Sequence, residues 1–386
     1  MHAIDPALQH LTDRVHAALA DRTPLRIRGG GSKDFYGQSL QGELLDVTAL
    51  SGIISYEPSE LVVTVRAGTP LAELEAVLAE QGQCLACEPP GFPPSAGAQS
   101  TATCGGMVAA GLSGPARASA GAVRDFVLGI KFLNGRGELL TFGGQVIKNV
   151  AGYDVSRLMV GAMGTLGLLT EISLKVLPVA PAEATLVFEL DQARALDQLH
   201  RWGGQPLPLN ASCWVRDDSD ARAGARELLF VRLRGAVAAV ESACRKMTQE
   251  VPGTRMDNAQ AAIDWQACRD LRLPFFANQG LHDRALWRLS LPQTAPVLAL
   301  PWPQLVEWHG AQRWLWAPLQ AQGQLRQTAA EVGGTATIFI ADIAGSTGAV
   351  ARFSPLKPPL DRIHRQLKAE FDPAGIFNPG RLYPEM

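Results

Sequence analysis

Cysteine is scarce, charge is balanced, and no uninterrupted apolar run is long enough to cross a membrane. Six cysteines in 386 residues do not suggest a disulfide scaffold. Cys84 and Cys87 form a lone C-x-x-C. Without a second pair or a thioredoxin-like context, buried or loop cysteines stand against a metal or redox role. No iron–sulfur cysteine run is present, so electrons leaving this chain would meet their clusters on a partner. The net charge of −2 offers no general attraction to nucleic acid or anionic lipid. The first 22 residues lack the basic start, apolar middle and small-residue cleavage site of a secretory signal. A cytoplasmic protein is expected, with no direct membrane span; any contact with the inner membrane would run through partners.

What is present suits a globular protein. The chain is 47% hydrophobic and 19% charged, and its length points to two or three domains. Leu8, Leu11, Val15 and Leu19 recur at helical spacing. Leu25 to Arg28 and Leu61 to Val65 read as strands. Thr69 is expected as an N-cap with Pro70 at the first helical position; Leu71, Leu74, Val77 and Leu78 form the buried stripe, and Gly82 closes the helix. Pro89 to Pro94 must be a loop. Asn134-Gly135-Arg136-Gly137 between Val127–Leu133 and Leu139–Phe142 reads as a hairpin. Leu166 to Leu177 alternates toward a strand stopped by Pro178. Composition shifts there: all eight tryptophans lie beyond it. Leu229 to Arg232 and Thr337 to Ala341 read as strands and Val237 to Met247 as a helix, which suggests an α+β part with an antiparallel sheet.

Three small-residue stretches carry the chemistry. Arg28-Gly29-Gly30-Gly31-Ser32 follows a strand, and consecutive backbone N–H groups there can form a nest for phosphate oxygens. A flexible loop is the other reading; the run matches neither G-x-G-x-x-G nor the P-loop. Thr101 to Gly111 is nearly devoid of bulk, which suits a flat ligand or a diphosphate against the backbone, or tight helix packing. Gly161 to Thr170 brings three glycines to the start of a buried strand.

In this order, over roughly residues 24–178, these stretches resemble the FAD-binding domain of vanillyl-alcohol-oxidase-type flavoproteins, the PCMH-type FAD-linked oxidases. Lys148 to Asp154 resembles the A-G-Y-D segment of their 2-hydroxy-acid dehydrogenase branch, and Phe371 to Arg381 (FDPAGIFNPGR) its closing signature. The run Gly144 to Asp154, with Glu307 to Trp314 (EWHGAQRW), is similar to the family of FAD-binding E subunits of bacterial glycolate oxidase. The resemblance implies an α+β fold in three parts. These are a two-lobed FAD-binding domain over 1–178, a smaller FAD-linked-oxidase-like α+β domain with an antiparallel sheet over 179–350, and a C-terminal helix and FAD-proximal tail over 351–386. It implies FAD held without a covalent bond, because Ser32-Lys33-Asp34-Phe35 has no His where covalent members place one. Cofactor contacts are expected from Arg28, Gly29, Gly30, Gly31 and Ser32. Others are expected from Thr101, Thr103, Gly105, Gly106 and Gly111, from Gly164, Thr165, Leu166, Gly167, Leu168 and Thr170, and from Asn378. It also implies partners, a catalytic flavoprotein D subunit and an iron–sulfur F subunit, in a complex that oxidises glycolate to glyoxylate.

The substrate half departs from the pattern. Catalytic relatives carry H-x-G-D-G-N-x-H and a later G-G-T-x-x-G-E-H-G, whose His and Glu bind a divalent metal. Here His309 stands at the first His and Trp316 at the second; Phe339 and Ile340 fall where Glu and His belong. From Gly333 to Gly345 only Asp342 offers a carboxylate, so no metal site and no catalytic residue are expected. Arg313 reads as a carboxylate binder or a solvated face. Tyr153 and Lys148 read as flavin-edge residues or turn anchors. Trp302 to Trp316 reads as core or interface, with interface favoured because the resemblance implies partners. Three functions stay open: an FAD subunit inactive alone, a self-sufficient flavin dehydrogenase using Tyr153, His309 or Arg313, and an assembly protein without FAD.

Overall fold

A computed structural model describes residues 5–95, 97–144, 153–217, 224–277, 283–341 and 350–386. The chain divides into two units: Met1–Ser113 with Gly121–Pro178 and Gly348–Met386, and Gly114–Ala120 with Val179–Thr347. The tail expected as a separate closing part therefore belongs to the first unit, and residues 114–120 belong to the second.

The first unit starts with the helix Pro6–Asp21, capped by Asp5, whose carboxylate accepts from Ala7 N–H. Its apolar stripe buries Leu11, Val15 and Ala18 against Leu25, Leu45 and Phe377. Each leucine or valine so buried contributes roughly 1.5–3 kcal/mol. Strand Leu25–Arg28 pairs in parallel with Glu43–Asp46 and bridges to Phe377 of the tail. A five-stranded antiparallel sheet follows in the order Ile53–Glu57, Val62–Arg66, Leu168–Lys175, Val127–Leu133, Leu139–Gly143. Residues 134–137 make the tight connection between its last two strands, with Gly137 rather than Asn134 or Gly135 in the left-handed region at φ 76°. Val63, Val65, Ile130, Phe132, Ile172 and Leu174 of the sheet pack with Leu71, Leu74, Leu78, Met107 and Val108 of two helices in one core.

One capping expectation fails. The helix Leu71–Glu80 has Pro70 as its N-cap, with no side-chain cap bond. Thr69 is buried and turns its hydroxyl to the backbone of Gly52 instead, accepting from N–H at 3.0 Å and donating to C=O at 3.1 Å. A buried hydroxyl takes its partners where tertiary packing offers them.

The second unit is an eight-stranded antiparallel sheet. Its order is Gly253–Arg255, Ala182–Glu189, Arg226–Gly235, Leu209–Asp217, Gln304–Glu307, Gln312–Pro318, Arg284–Ser290, Thr335–Ile340. Helices Gln192–Gly203 and Val237–Glu250 bury Leu196, Leu199, Trp202, Val240 and Met247 against Leu186, Phe188, Trp214, Val231 and Val306. No helix among the described residues is long and apolar enough to cross a membrane.

Candidate functional site

A cleft in the first unit gathers the small-residue stretches. It is lined by Arg28 to Asp34, by Thr103, Gly105, Gly106, Ala109 and Ala110, by Met159, Ala162, Met163 and Gly164, by Gly167 to Leu169, and by Asn378 and Arg381. Gly29 and Gly30 are small for a tertiary reason. A Cβ on Gly30 would overlap the Thr101 carbonyl oxygen, and one on Gly29 would overlap Thr103 Oγ1. The two loops are thus in close contact. Gly31 has φ 74°, which glycine adopts freely. Among the described residues, the backbone N–H groups of Gly29, Gly30, Gly31 and Ser32 donate to no protein acceptor. Four successive unspent donors in a turn form a concavity for an anion such as a diphosphate.

Arg28 folds beside this loop, its Nε 2.7 Å from Asp34 Oδ2. Thr103 caps the short helix Cys104–Ala110, its hydroxyl accepting from Gly106 N–H. Gly105 N–H donates to Ala67 O at 2.7 Å, and a Cβ there would meet Ala67 at 2.8 Å. Lys33 Nζ donates to Ser32 Oγ at 3.2 Å. Asn378 has φ 41°, its Oδ1 accepts from Ile27 N–H, and its Nδ2 donates to Met163 O. Arg381 donates to the carbonyls of Gln38, Lys33 and Asp34, and burial lowers its pKa to about 10.

Of the residues expected at the cofactor, Arg28 to Ser32, Thr103, Gly105, Gly106, Gly164, Gly167, Leu168 and Asn378 line the cleft. Thr101, Gly111, Thr165, Leu166 and Thr170 do not. Thr101 sets the loop spacing through its carbonyl, and Gly111 ends the helix with φ 63°. Thr165 and Thr170 spend their hydroxyls on Ala162 O and Lys131 O, and Leu166 is core. Arg381 and Asp34 also line the cleft; both stand in the segments Phe371 to Arg381 and Ser32 to Phe35, and only the fold brings them together there. Lys148 and the rest of 145–152 lie outside the described residues, as does Asp342. Tyr153 is 95% exposed.

Several residues singled out in the second unit are packed inside it. Arg313 is fully buried and donates to Pro296 O at 2.7 Å and Ala295 O at 2.8 Å, so it is neither a solvated face nor an open carboxylate binder. Burial lowers its pKa to about 10. Trp308, Trp314 and Trp316 are buried, and each indole N–H is satisfied internally, by Gly114 O, Glu307 Oε2 and Phe275 O. They are core rather than the favoured interface. Trp316 and Cys268 wall a cavity of about 740 Å³ with Trp265, Phe230 and Phe275. His309 adopts φ 55°, with Nδ1 3.0 Å from Ser212 Oγ and Nε2 3.1 Å from Ser119 Oγ. Burial disfavours its cation and lowers its pKa to about 4. No cluster of three or more His, Cys, Asp or Glu side chains suited to a metal occurs among the described residues. All six cysteines are free; burial pushes Cys104 up to about 12 and Cys87 higher still, so neither offers a ready thiolate.

Comparison with known proteins gives the family and the fold. Residues 8–143 match the FAD binding domain family. The 4-ethylphenol oxidase of Gulosibacter chungangensis shares the fold with TM-score 0.70 at 12% identity, over 98% of this chain and 88% of that one. An alkyldihydroxyacetonephosphate synthase does so with TM-score 0.67 at 15% identity, over 96% and 75%. Fold and cleft define a PCMH-type FAD-binding flavoprotein with an antiparallel second domain. At 44% identity over 98% of both chains it is similar to glycolate oxidase subunit GlcE of Escherichia coli K12, and it belongs to that family. Glycolate oxidase subunit GlcD of Bacillus subtilis is 30% identical over 43% of this chain and 34% of its own length.

Proposed function

We propose that this chain holds FAD in the cleft between Arg28–Ser32, Thr103–Gly106, Gly164–Leu168 and Asn378, inside a complex whose substrate chemistry is done by another subunit. The observation that carries the reading is the row of unspent N–H donors from Gly29 to Ser32, in residues that line a cleft with small-residue walls. The donors suit the diphosphate, and Ala109, Ala110 and Ala162 leave room for flat rings. FAD supplies hydride and electron acceptance when bound; the chain's own residues position it. Arg313 and Phe339 are buried in the second unit, which supports glycolate oxidation by a catalytic D subunit with electrons passed to an iron–sulfur F subunit. A cytoplasmic site of action, with the membrane reached through partners, completes the proposal. The test is flavin content and dye-linked glycolate oxidation of the chain alone and with both partners. Bound FAD with turnover only in the complex is the expected result; robust turnover by the isolated chain would overturn the division of labour.

A further inference from the structure

We propose that Lys368 is a positioning residue for FAD: it ties the Gly164 turn to the closing tail, so that two walls of the cleft keep one geometry. The proposal rests on the cleft being the FAD site. Lys368 lies in the last turn of the helix Leu360–Phe371 and points inward. Its Nζ donates to Thr165 O at 2.8 Å, to Phe377 O at 2.8 Å and to Asp372 Oδ2 at 2.6 Å. All three ammonium protons are thereby used. Asp372 is 2% exposed, and its oxygens accept from Ile376 N–H at 3.1 Å and Phe377 N–H at 2.8 Å.

A buried ion pair is a weak stability device, since desolvation offsets most of the attraction and apolar residues of like volume would pack as well. What the pair adds is a fixed relation between two backbones. Thr165 follows Gly164, and Phe377 precedes Asn378; Gly164 and Asn378 both line the cleft, while Lys368 and Asp372 do not. The spacing there is tight, for a Cβ on Gly164 would lie 2.6 Å from Asn378 Nδ2. Lys368 holds the carbonyls next to that contact, and Asn378 carries the constraint on to Ile27 and Met163. Lys368 thus acts on the cofactor through Gly164 and Asn378.

The discriminating variant is the double substitution Lys368→Met with Asp372→Asn. Lys368→Met alone leaves a buried carboxylate without its ammonium partner and risks misfolding. The double variant removes both charges, and the single amide oxygen it leaves at position 372 can still accept from one of the tail's two N–H groups, Ile376 or Phe377. The full chain is stripped of flavin, and FAD affinity, the fine structure of the bound flavin's visible band and the melting temperature are measured. Expected is a cooperatively folded variant whose melting temperature falls moderately, because the carbonyls of Thr165 and Phe377 lose their donor, with FAD bound roughly tenfold more weakly or worse and a blurred band. Parent-like affinity and spectrum in the folded double variant would overturn the proposal. A second readout needs no variant: hydrogen exchange at Ile376 and Phe377 in the parent chain should slow on FAD loading, and unchanged exchange would overturn the coupling. A parent chain that takes up no FAD would overturn the cleft assignment itself, and the role of Lys368 with it.

Discussion

Asn378 reaches Ile27 across 351 residues of sequence, its Oδ1 accepting from the Ile27 N–H at 2.7 Å. The same amide donates to Met163 O at 2.6 Å, so one side chain joins the strand that feeds the first glycine loop, the Gly164 turn and the tail. Its φ of 41° lies in the left-handed region, where Asn is tolerated better than most residues.

Asn378→Ala should therefore cost both hydrogen bonds, at about 1 kcal/mol each, and add backbone strain of about 1 kcal/mol. Denaturant titration of the flavin-free chain should show a loss of roughly 2–4 kcal/mol. A loss well below 1 kcal/mol would show that the amide is not clamping these walls.

Gly30→Ala tests the loop contact. Its new methyl would overlap Thr101 O, so one loop must move, whereas Gly106→Ala meets only Thr103 Oγ1, at 3.2 Å. Purified Gly30→Ala should retain little flavin, roughly a tenth of the parent's content or less, and Gly106→Ala should retain more. Equal retention in the two variants would refute the steric account.

His309 sets a pH dependence of stability. Its folded pKa is depressed to about 4 from the ordinary 6.5, because burial disfavours the imidazolium. The unfolded chain then binds more protons between these values, so this contribution is present above pH 6.5 and is lost as pH falls toward 4. It amounts to on the order of 3 kcal/mol at most. Melting temperatures of the parent and His309→Gln should be compared from about pH 4 to about pH 7, and the two curves should converge at the acid end. Parallel curves would mean that His309 titrates normally.

Arg313→Met probes whether that side chain is structural. The substitution strands the carbonyls of Ala295 and Pro296, at a cost of roughly 2–4 kcal/mol. Flavin content per folded molecule should stay at the parent's value. A large fall in flavin content with unchanged stability would make Arg313 a ligand-binding residue after all.

Local chemistry made much of this protein legible. The amphipathic stripe of Leu11 and Val15, the Asn134–Gly137 turn and the Leu71–Leu78 stripe depend on residues a few positions apart, which periodicity and turn propensity read directly. The glycine stretches were visible as stretches for the same reason. Their purpose was only half visible: Gly29 and Gly30 are small because Thr101 and Thr103 press on them, and that contact is non-local.

By itself the sequence determined the elements and the small-residue walls. Tertiary structure alone decided which polar groups are spent and which are left to act. Lys368 and Asp372, four apart at the end of a helix, look like any solvated pair until burial turns them into a lock on Thr165 and Phe377. Arg313 and the tryptophans from Trp308 to Trp316 look available until the sheet closes over them. Burial and hydrogen-bond partners are set by segments far apart in sequence, and a buried donor must take whatever acceptor the fold brings to it.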